Sequence, residues 1–480
     1  MTFLRTGDDQ STATPSHLPA WMQPGTLVLA REIRAEVAES LAARRHSAGE
    51  ADRPAEHRTE TLARHLINAA LDRRTAASVS AGREVRGAEA DSSVAELVLA
   101  MLFGLGVLQM FIDDDDVENI DVHGADRAYI SYGDGRKELV GPVADSDEEL
   151  VAIIRAAGAR FGLAERRFDS AQPELDLRLP DGSRLSAVMA VTERPIVDIR
   201  RHRLADHDLD DLVRLGMLDT QLADFLAAAV RAKRNILVSG AMNAGKTTLL
   251  RALAAEIPPR ERIVTIEQAL ELGLERQHER HPDCVAMESR LANIEGVGAI
   301  SMAQLVRRSL RMNASRVIVG EVLGDEVIPM LNAMSQGRSG SMGTIHSDSS
   351  VGVFRRLAAY AVQAPERLPL EATNLLIAGS IHFVVHVDVT ELAATAQAGE
   401  HAGRQAGARV TSDTAGTAQR LRQVASVREV VDAEGSMIVS NEVWRPGPGG
   451  MAVPGAPLRD ATAVALAAAG YESRRFGWGR

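Results

Sequence analysis

The chain has 480 residues, 45% of them hydrophobic and 25% charged, an ordinary composition for a soluble protein with room for two or three full cores. A net charge of −11 argues against nucleic acid as the main partner, and the one cysteine, Cys284, excludes an internal disulfide framework and fits a reducing compartment. Of the 54 basic residues only Lys137, Lys233 and Lys246 are lysine, so a lysine inside a recognisable motif carries weight.

Residues 1–92, rich in Ala, Arg, Glu and Ser, read as a helical and partly disordered extension, and residues 1–19 lack the apolar core of a signal peptide. Two short amphipathic helices are expected there, around LVLAREIRAEVAESLAARR and TETLARHLINAALDRR. The stretch VAELVLAMLFGLGVLQMFI (94–112) approaches the length of a membrane span. Glu96, Gln109 and the Gly104-Leu105-Gly106 break interrupt it, and four aspartates follow directly. It reads instead as a buried helix ending near Gly104, a turn and a second short helix.

Residues 93–202 have the pattern of a small α/β domain. NIDVHG, RAYISY and KELVG are short strands with a Gly-Asp-Gly turn at 133–135, and Ser146 with Glu149 forms a capping box ahead of the helix ELVAIIRAAGARF. LDLRLPDGSRLSAVMAV is a hairpin about Pro180-Asp181-Gly182. A charged linker over 203–220 leads to a doubly wound, mainly parallel α/β domain over 221–445, with the strand–loop–helix alternation beginning at Asn235. Low-complexity residues 392–418 are expected as a mobile loop, followed by a hairpin of RLRQVASVREVVD and SMIVSNEVWRP. A tail over 446–480 carries an Ala-rich helix near 460–469.

The phosphate-binding signal is ILVSGAMNAGKTTLLRALAAEI. Gly240-x4-Gly245-Lys246-Thr247 follows an apolar strand and opens an Ala/Leu-rich helix, which is the context a P-loop requires. Glycines let backbone N–H groups turn inward around phosphate oxygens, and the helix N-terminus adds its dipole. Lys246 supplies a compact charge to the β- and γ-phosphates of ATP, and the Thr247 hydroxyl ligates Mg2+. The candidate nucleotide-binding residues here are Gly240, Asn243, Ala244, Gly245, Lys246, Thr247 and Thr248.

Downstream, RIVTIEQALEL ends a strand in Glu267, and RVIVGEV ends another in Gly320-Glu321. Carboxylates at the carboxyl ends of parallel strands lie on the ligand-binding edge of such a sheet. There they hold Mg2+, partly through water, or take a proton from an attacking water. GSMGTIHSDS (340–349) surrounds His346 with glycines and hydroxyls.

Together, Lys246-Thr247, the TIE ending in Glu267, LVRRSLRM, VIVGEV and GSMGTIH resemble in order and spacing the type II/type IV secretion ATPase superfamily. The branch they are most similar to is that of the tight-adherence (Flp) pilus-assembly ATPases of CpaF/TadA type, with the likeness running over roughly 94–445. The resemblance implies an N-terminal α/β domain followed by a RecA-like domain. It also implies a hexameric ring of this chain, cytoplasmic and peripheral at the inner face of the cell membrane, working with a membrane platform protein and driving pilus assembly or secretion with ATP. It makes Lys246 and Thr247 the Walker A pair, Glu267 the aspartate-box acid, Glu321 the Walker B acid and a ligand of Mg2+, and His346 the histidine-box residue. Activation of water is divided between Glu267 and Glu321, with Glu267 the first choice. Arg184, Arg200 and Arg201 match arginines that reach nucleotide from the N-terminal domain. The chain departs from the family pattern at Gln268, where an aspartate is usual, at Leu323, where an arginine is usual, and at Gly343, where a threonine is usual. Those departures leave open an alternative, a degenerate nucleotide-binding ring subunit that acts as scaffold or regulator. A small-molecule P-loop kinase is a third reading, in which the histidine segment has no role.

Overall fold

The computed structural model describes residues 20–22, 24–47, 56–133, 135–162, 167–201, 207–292, 296–392 and 419–472. The loop expected at 392–418 lies, apart from Leu392, outside the described residues, as does Asp134 of the expected Gly-Asp-Gly turn. The chain divides into two compact units, Met1–Arg201 and His202–Arg480.

In the first unit, helices α1 (Pro24–Ser47), α2 (Glu56–Ser80) and α3 (Ala88–Phe103) lead to a short α4 (Val107–Ile112). Strands β1 (Val117–His123), β2 (Ala128–Tyr132) and β3 (Lys137–Val140) precede α5 (Asp147–Phe161), and β4 (Glu174–Arg178), β5 (Arg184–Val188) and β6 (Ile196–Arg200) complete the unit. The six strands form one antiparallel sheet in the order β3-β2-β1-β6-β5-β4. The helices expected as a separate extension share the core of this sheet. Ile33 and Val37 on α1 and Ala63 and Ile67 on α2 recur at helical spacing, are fully buried, and pack in one cluster with Leu97, Ile120 and Ile154. The break at Gly104 separates α3 from α4 as expected, and no helix among the described residues is long and apolar enough to cross a membrane. The capping box closes only halfway. Ser146 Oγ accepts from the N–H of Glu149 at 3.2 Å, but the Glu149 carboxylate takes the N–H of Asp145 at 2.7 Å and pairs with Arg34 on α1.

The second unit begins with α6 (Leu209–Arg214) and α7 (Thr220–Arg231), so the stretch expected as linker carries a helix, with Leu209 and Leu212 buried. Then come β7 (Ile236–Gly240), α8 (Lys246–Ala255), β8 (Ile263–Glu267), β9 (Cys284–Glu288), α9 (Met302–Ser309), β10 (Arg316–Val322) and α10 (Val327–Ser335). They are followed by β11 (Met342–His346), α11 (Gly352–Gln363), α12 (Leu370–Ser380), β12 (Phe383–Leu392), β13 (Gln419–Glu434), β14 (Met437–Pro446), β15 (Ala452–Pro454) and α13 (Asp460–Ala468). The nine strands run in the order β15-β14-β13-β12-β7-β11-β10-β8-β9, parallel from β12 to β9 and antiparallel from β12 to β15. Central strands covered on both faces read as continuous apolar runs. In β7, Ile236 and Val238 face the cluster built with α7 and α8, and Leu237 faces the one built with α9 to α12. This is a RecA-like layering of helices on both faces of a mainly parallel sheet. The stretch expected as a tail is part of this core: Ala452 and Leu466 are buried, and the Tyr471 ring stands edge-on to Phe225 with centroids 5.5 Å apart.

Candidate functional site

The site is built at the carboxyl ends of the parallel strands. β7 ends at Gly240, where an added Cβ would fall 2.4 Å from the carbonyl oxygen of Val387, so a side chain has no place. The loop then turns through Asn243 at φ +57° and Gly245 at φ +93°, and Lys246 opens α8. Such left-handed positions curl successive backbone N–H groups into an anion-binding concavity ahead of a helix N-terminus. Ala244 is fully buried beneath the loop, and Thr247 and Thr248 are half-buried on the first turn of α8.

Lys246 is only 7% exposed. Its Nζ donates to the carbonyl of Ala241 at 2.8 Å and to Nδ1 of His346 at 3.0 Å. His346 stands opposite Gly240 in the β11–β7 register, and its Nε2 lies 2.6 Å from Oε1 of Glu321 at the end of β10. An ammonium group only donates, so Nδ1 is the acceptor and Nε2 carries the hydrogen given to Glu321. Three motifs far apart in sequence thereby form one hydrogen-bonded chain: Lys246, His346, Glu321.

Glu267, at the end of β8, is 2% exposed. Its carboxylate accepts from the N–H groups of Glu271 and Leu272 at 2.7 and 2.8 Å and from the Thr265 hydroxyl at 3.3 Å. Burial pushes its pKa up from 4.5 to about 7; the nearby charges of Glu271 and Glu275 add to the rise, and the two N–H donors oppose it. Among the described residues it is not hydrogen-bonded to the chain of Lys246, His346 and Glu321, but it packs against its edge. An added Cβ on Gly320 would lie 2.8 Å from Glu267 Cγ, and the Gly320 carbonyl accepts from the Thr344 hydroxyl at 2.6 Å. Glycine at 320 is what gives the Glu267 side chain its space beside Glu321.

Several neighbours were not legible as site residues. The buried Glu326 carboxylate accepts from the N–H groups of Leu323 and Gly324 and ties down the turn after β10, and burial raises its pKa. Arg422, on β13, donates from Nε to the P-loop carbonyl of Asn243 at 3.0 Å. A glutamate four residues past a strand end or an arginine in a predicted hairpin carries no local signal for either role. Arg184, Arg200 and Arg201 lie in the first unit. Arg184 and Arg200 are opposite each other on β5 and β6, while the Arg201 guanidinium donates to the carbonyls of Asp114 and Val117 and pairs with Asp115.

The three departures each have a structural setting. Gln268 is exposed, and its carbonyl accepts from the Ser289 hydroxyl at 3.3 Å. Leu323 is 40% exposed. At Gly343 an added Cβ would sit 3.2 Å from the Val319 carbonyl and 3.5 Å from both Leu237 and the Met330 sulfur, so larger neighbours fill the space a threonine would take. No group of three or more His, Cys, Asp or Glu side chains able to hold a metal occurs among the described residues. Mg2+ keeps several waters and binds through one or two protein groups plus phosphate oxygens, and the partly exposed Thr247 hydroxyl and Glu321 carboxylate are oxygen donors that would suit it.

The chain is similar to known proteins over most of its length. The family described as Type II/IV secretion system protein matches residues 104–444. A putative conjugal transfer protein of Mycobacterium tuberculosis is 34% identical over 295 residues, covering 60% of this chain and 80% of that one. The type IV secretion system protein VirB11 of Brucella suis is 27% identical over 325 residues, 62% of this chain and 88% of its own. The solved structure of the Brucella suis VirB11 ATPase with sulphate is 28% identical, covering 60% of this chain and 89% of that chain, with a TM-score of 0.31. The matched span takes in the P-loop, both strand-end glutamates and the histidine, and the chain belongs to the Type II/IV secretion system protein family.

Proposed function

We propose that this protein is an ATP-hydrolysing motor of a type II/IV secretion or pilus-assembly system, of the tight-adherence (Flp/Tad) type. The observation that carries the reading is the hydrogen-bonded chain from Lys246 through His346 to Glu321 beside a P-loop whose Gly240 admits no side chain. Gly240, Asn243, Ala244, Gly245, Lys246, Thr247 and Thr248 receive the phosphates of ATP, and the buried Lys246 ammonium neutralises the β- and γ-phosphates. Thr247 and Glu321 hold Mg2+, which when bound screens the phosphate charge. Glu267 takes the proton of the attacking water as the bond to the γ-phosphorus forms and the bond to the ADP oxygen breaks. A carboxylate titrating at about 7 is matched to that task at neutral pH. As Glu321 turns to Mg2+, the Nε2–H of His346 that it accepts is freed and donates to the γ-phosphate oxygens as charge develops there.

The working form is a hexameric ring of this chain, cytoplasmic and peripheral at the inner face of the membrane, docked on a platform protein of the export system. The test is steady-state phosphate release by the purified protein against its Lys246→Ala variant. Wild type hydrolyses ATP and the variant neither binds nor hydrolyses it. Equal nucleotide affinity in the two overturns the P-loop assignment, and a wild type that binds ATP without turnover overturns the motor.

A further inference from the structure

The P-loop has a direction. Its backbone N–H groups cradle the α- and β-phosphates and its lysine reaches the β- and γ-phosphates. Here the γ end is marked by Lys246, His346 and Glu321, all on the side of β7 occupied by β11 and β10. The α-phosphate end therefore faces the other neighbours of β7, which are β12 and then β13.

β13 runs antiparallel to β12, so its first residues stand at the phosphate-binding edge of the sheet. Gly240 is level with Val387 on β12, and Arg422 is level with Val389, two residues further out, or about 6–7 Å beyond the end of β7. At that height the Arg422 stem lies along the P-loop. Its Cδ is 3.7 Å from where a Cβ on Gly245 would stand, and its Nε donates to the Asn243 carbonyl at 3.0 Å. One of the five donors of an exposed guanidinium is thus used to hold the group against the loop, and among the described residues it makes no other hydrogen bond or ion pair.

We infer that Arg422 is a nucleotide-binding residue that contacts the α-phosphate, on the side of the P-loop opposite Glu321. The hydrogen bond to Asn243 aims the planar fork, and the remaining N–H groups donate to α-phosphate oxygens. The proposal rests on the ATP-binding reading above and adds a strand to the site. β13, reached only after residues 393–418, contributes to the same pocket as the loop that follows β7.

The test is calorimetric binding of ATP and of ADP to the full-length protein, wild type, Arg422→Ala and Arg422→Gln. A hydrogen bond to a charged group contributes enough that its loss weakens binding roughly ten- to a hundredfold. Both variants should lose affinity for ATP and ADP by the same factor within that range, because the α-phosphate is common to both nucleotides. KM for ATP should rise with kcat changed less than about threefold. Arg422 is exposed, so both variants keep the wild-type unfolding transition. Glutamine retains a neutral donor for Asn243; if Arg422→Gln binds like wild type, the arginine is only a loop tether and the proposal fails. It fails equally if Arg422→Ala leaves both affinities unchanged, or weakens ATP but not ADP. A wild-type protein that binds neither nucleotide would overturn the ATP reading itself.

Discussion

Replacing Glu267 by Gln tests the environment of the proposed base without leaving a hole. The glutamine carbonyl takes the place of Oε2 under the N–H groups of Glu271 and Leu272, and its NH2 faces the Thr265 hydroxyl. The wild-type carboxyl titrates at about 7 instead of 4.5 because burial penalises its charged form. An acid whose folded pKa is raised stabilises the fold while protonated. That stability is fully present below pH 4.5 and is lost as pH rises through about 7. The gap between 4.5 and about 7 is worth about 3 kcal/mol. Chemical unfolding of the two proteins should therefore show the variant more stable by about 3 kcal/mol at pH 8.5, with the difference nearly closed at pH 4.5. Phosphate release by the variant should fall roughly hundredfold or more, as for loss of a general base. A stability difference that is the same at both pH values, or a wild type that is the more stable at pH 8.5, refutes the reasoning that burial dominates at Glu267.

His346→Ala should keep nucleotide affinity nearly intact in a binding titration while hydrolysis falls roughly hundredfold, the loss expected for one preorganised donor to developing charge. Gly320→Ala drives a methyl to 2.8 Å from Glu267 Cγ, so it should cut phosphate release at least about tenfold through displacement of that carboxylate, with ATP binding retained by calorimetry. Gln268→Asp adds a hard anionic group beside Glu267 at an exposed position, and should raise the hydrolysis rate or lower the Mg2+ concentration needed for half-maximal activity in a metal titration.

The elements that carry chemistry were the most legible. A P-loop must sit between a buried strand and a helix N-terminus, and both are written locally, in the apolar run before Gly240 and the Ala/Leu-rich run after Lys246. The two strand-end glutamates follow the same logic: a β-branched run ends where a carboxylate begins, and a parallel sheet brings such ends to one edge. The extent of the first unit was less legible. Helices α1 and α2 are polar over most of their surface, and nothing local shows that the thin stripe of Ile33, Val37, Ala63 and Ile67 is covered by the same core as β1. The short helix α6 was not legible for the same reason, and although the Ala-rich helix near 460–469 was, the burial of Leu466 and Tyr471 in the core was not. Their few apolar residues are unremarkable until α7 supplies a surface to bury them.

By itself the sequence determined the strand, glycine loop and helix that run through Gly240, Gly245 and Lys246, and that Glu267 and Glu321 lie at the ends of strands of one sheet. These follow from short-range constraints, since backbone conformation and strand polarity depend on residues within a few positions of each other. Tertiary structure alone decided which groups touch. The strand order β12-β7-β11-β10 sets His346 between Lys246 and Glu321, and the close approach of β8 and β10 places Glu267 against Gly320 in the burial that raises its pKa. The antiparallel return of β13 brings Arg422 to the P-loop. Hydrogen bonds of about 3 Å and the desolvation of a carboxyl depend on distances across the sheet, which chain order does not encode until the strands have been arranged.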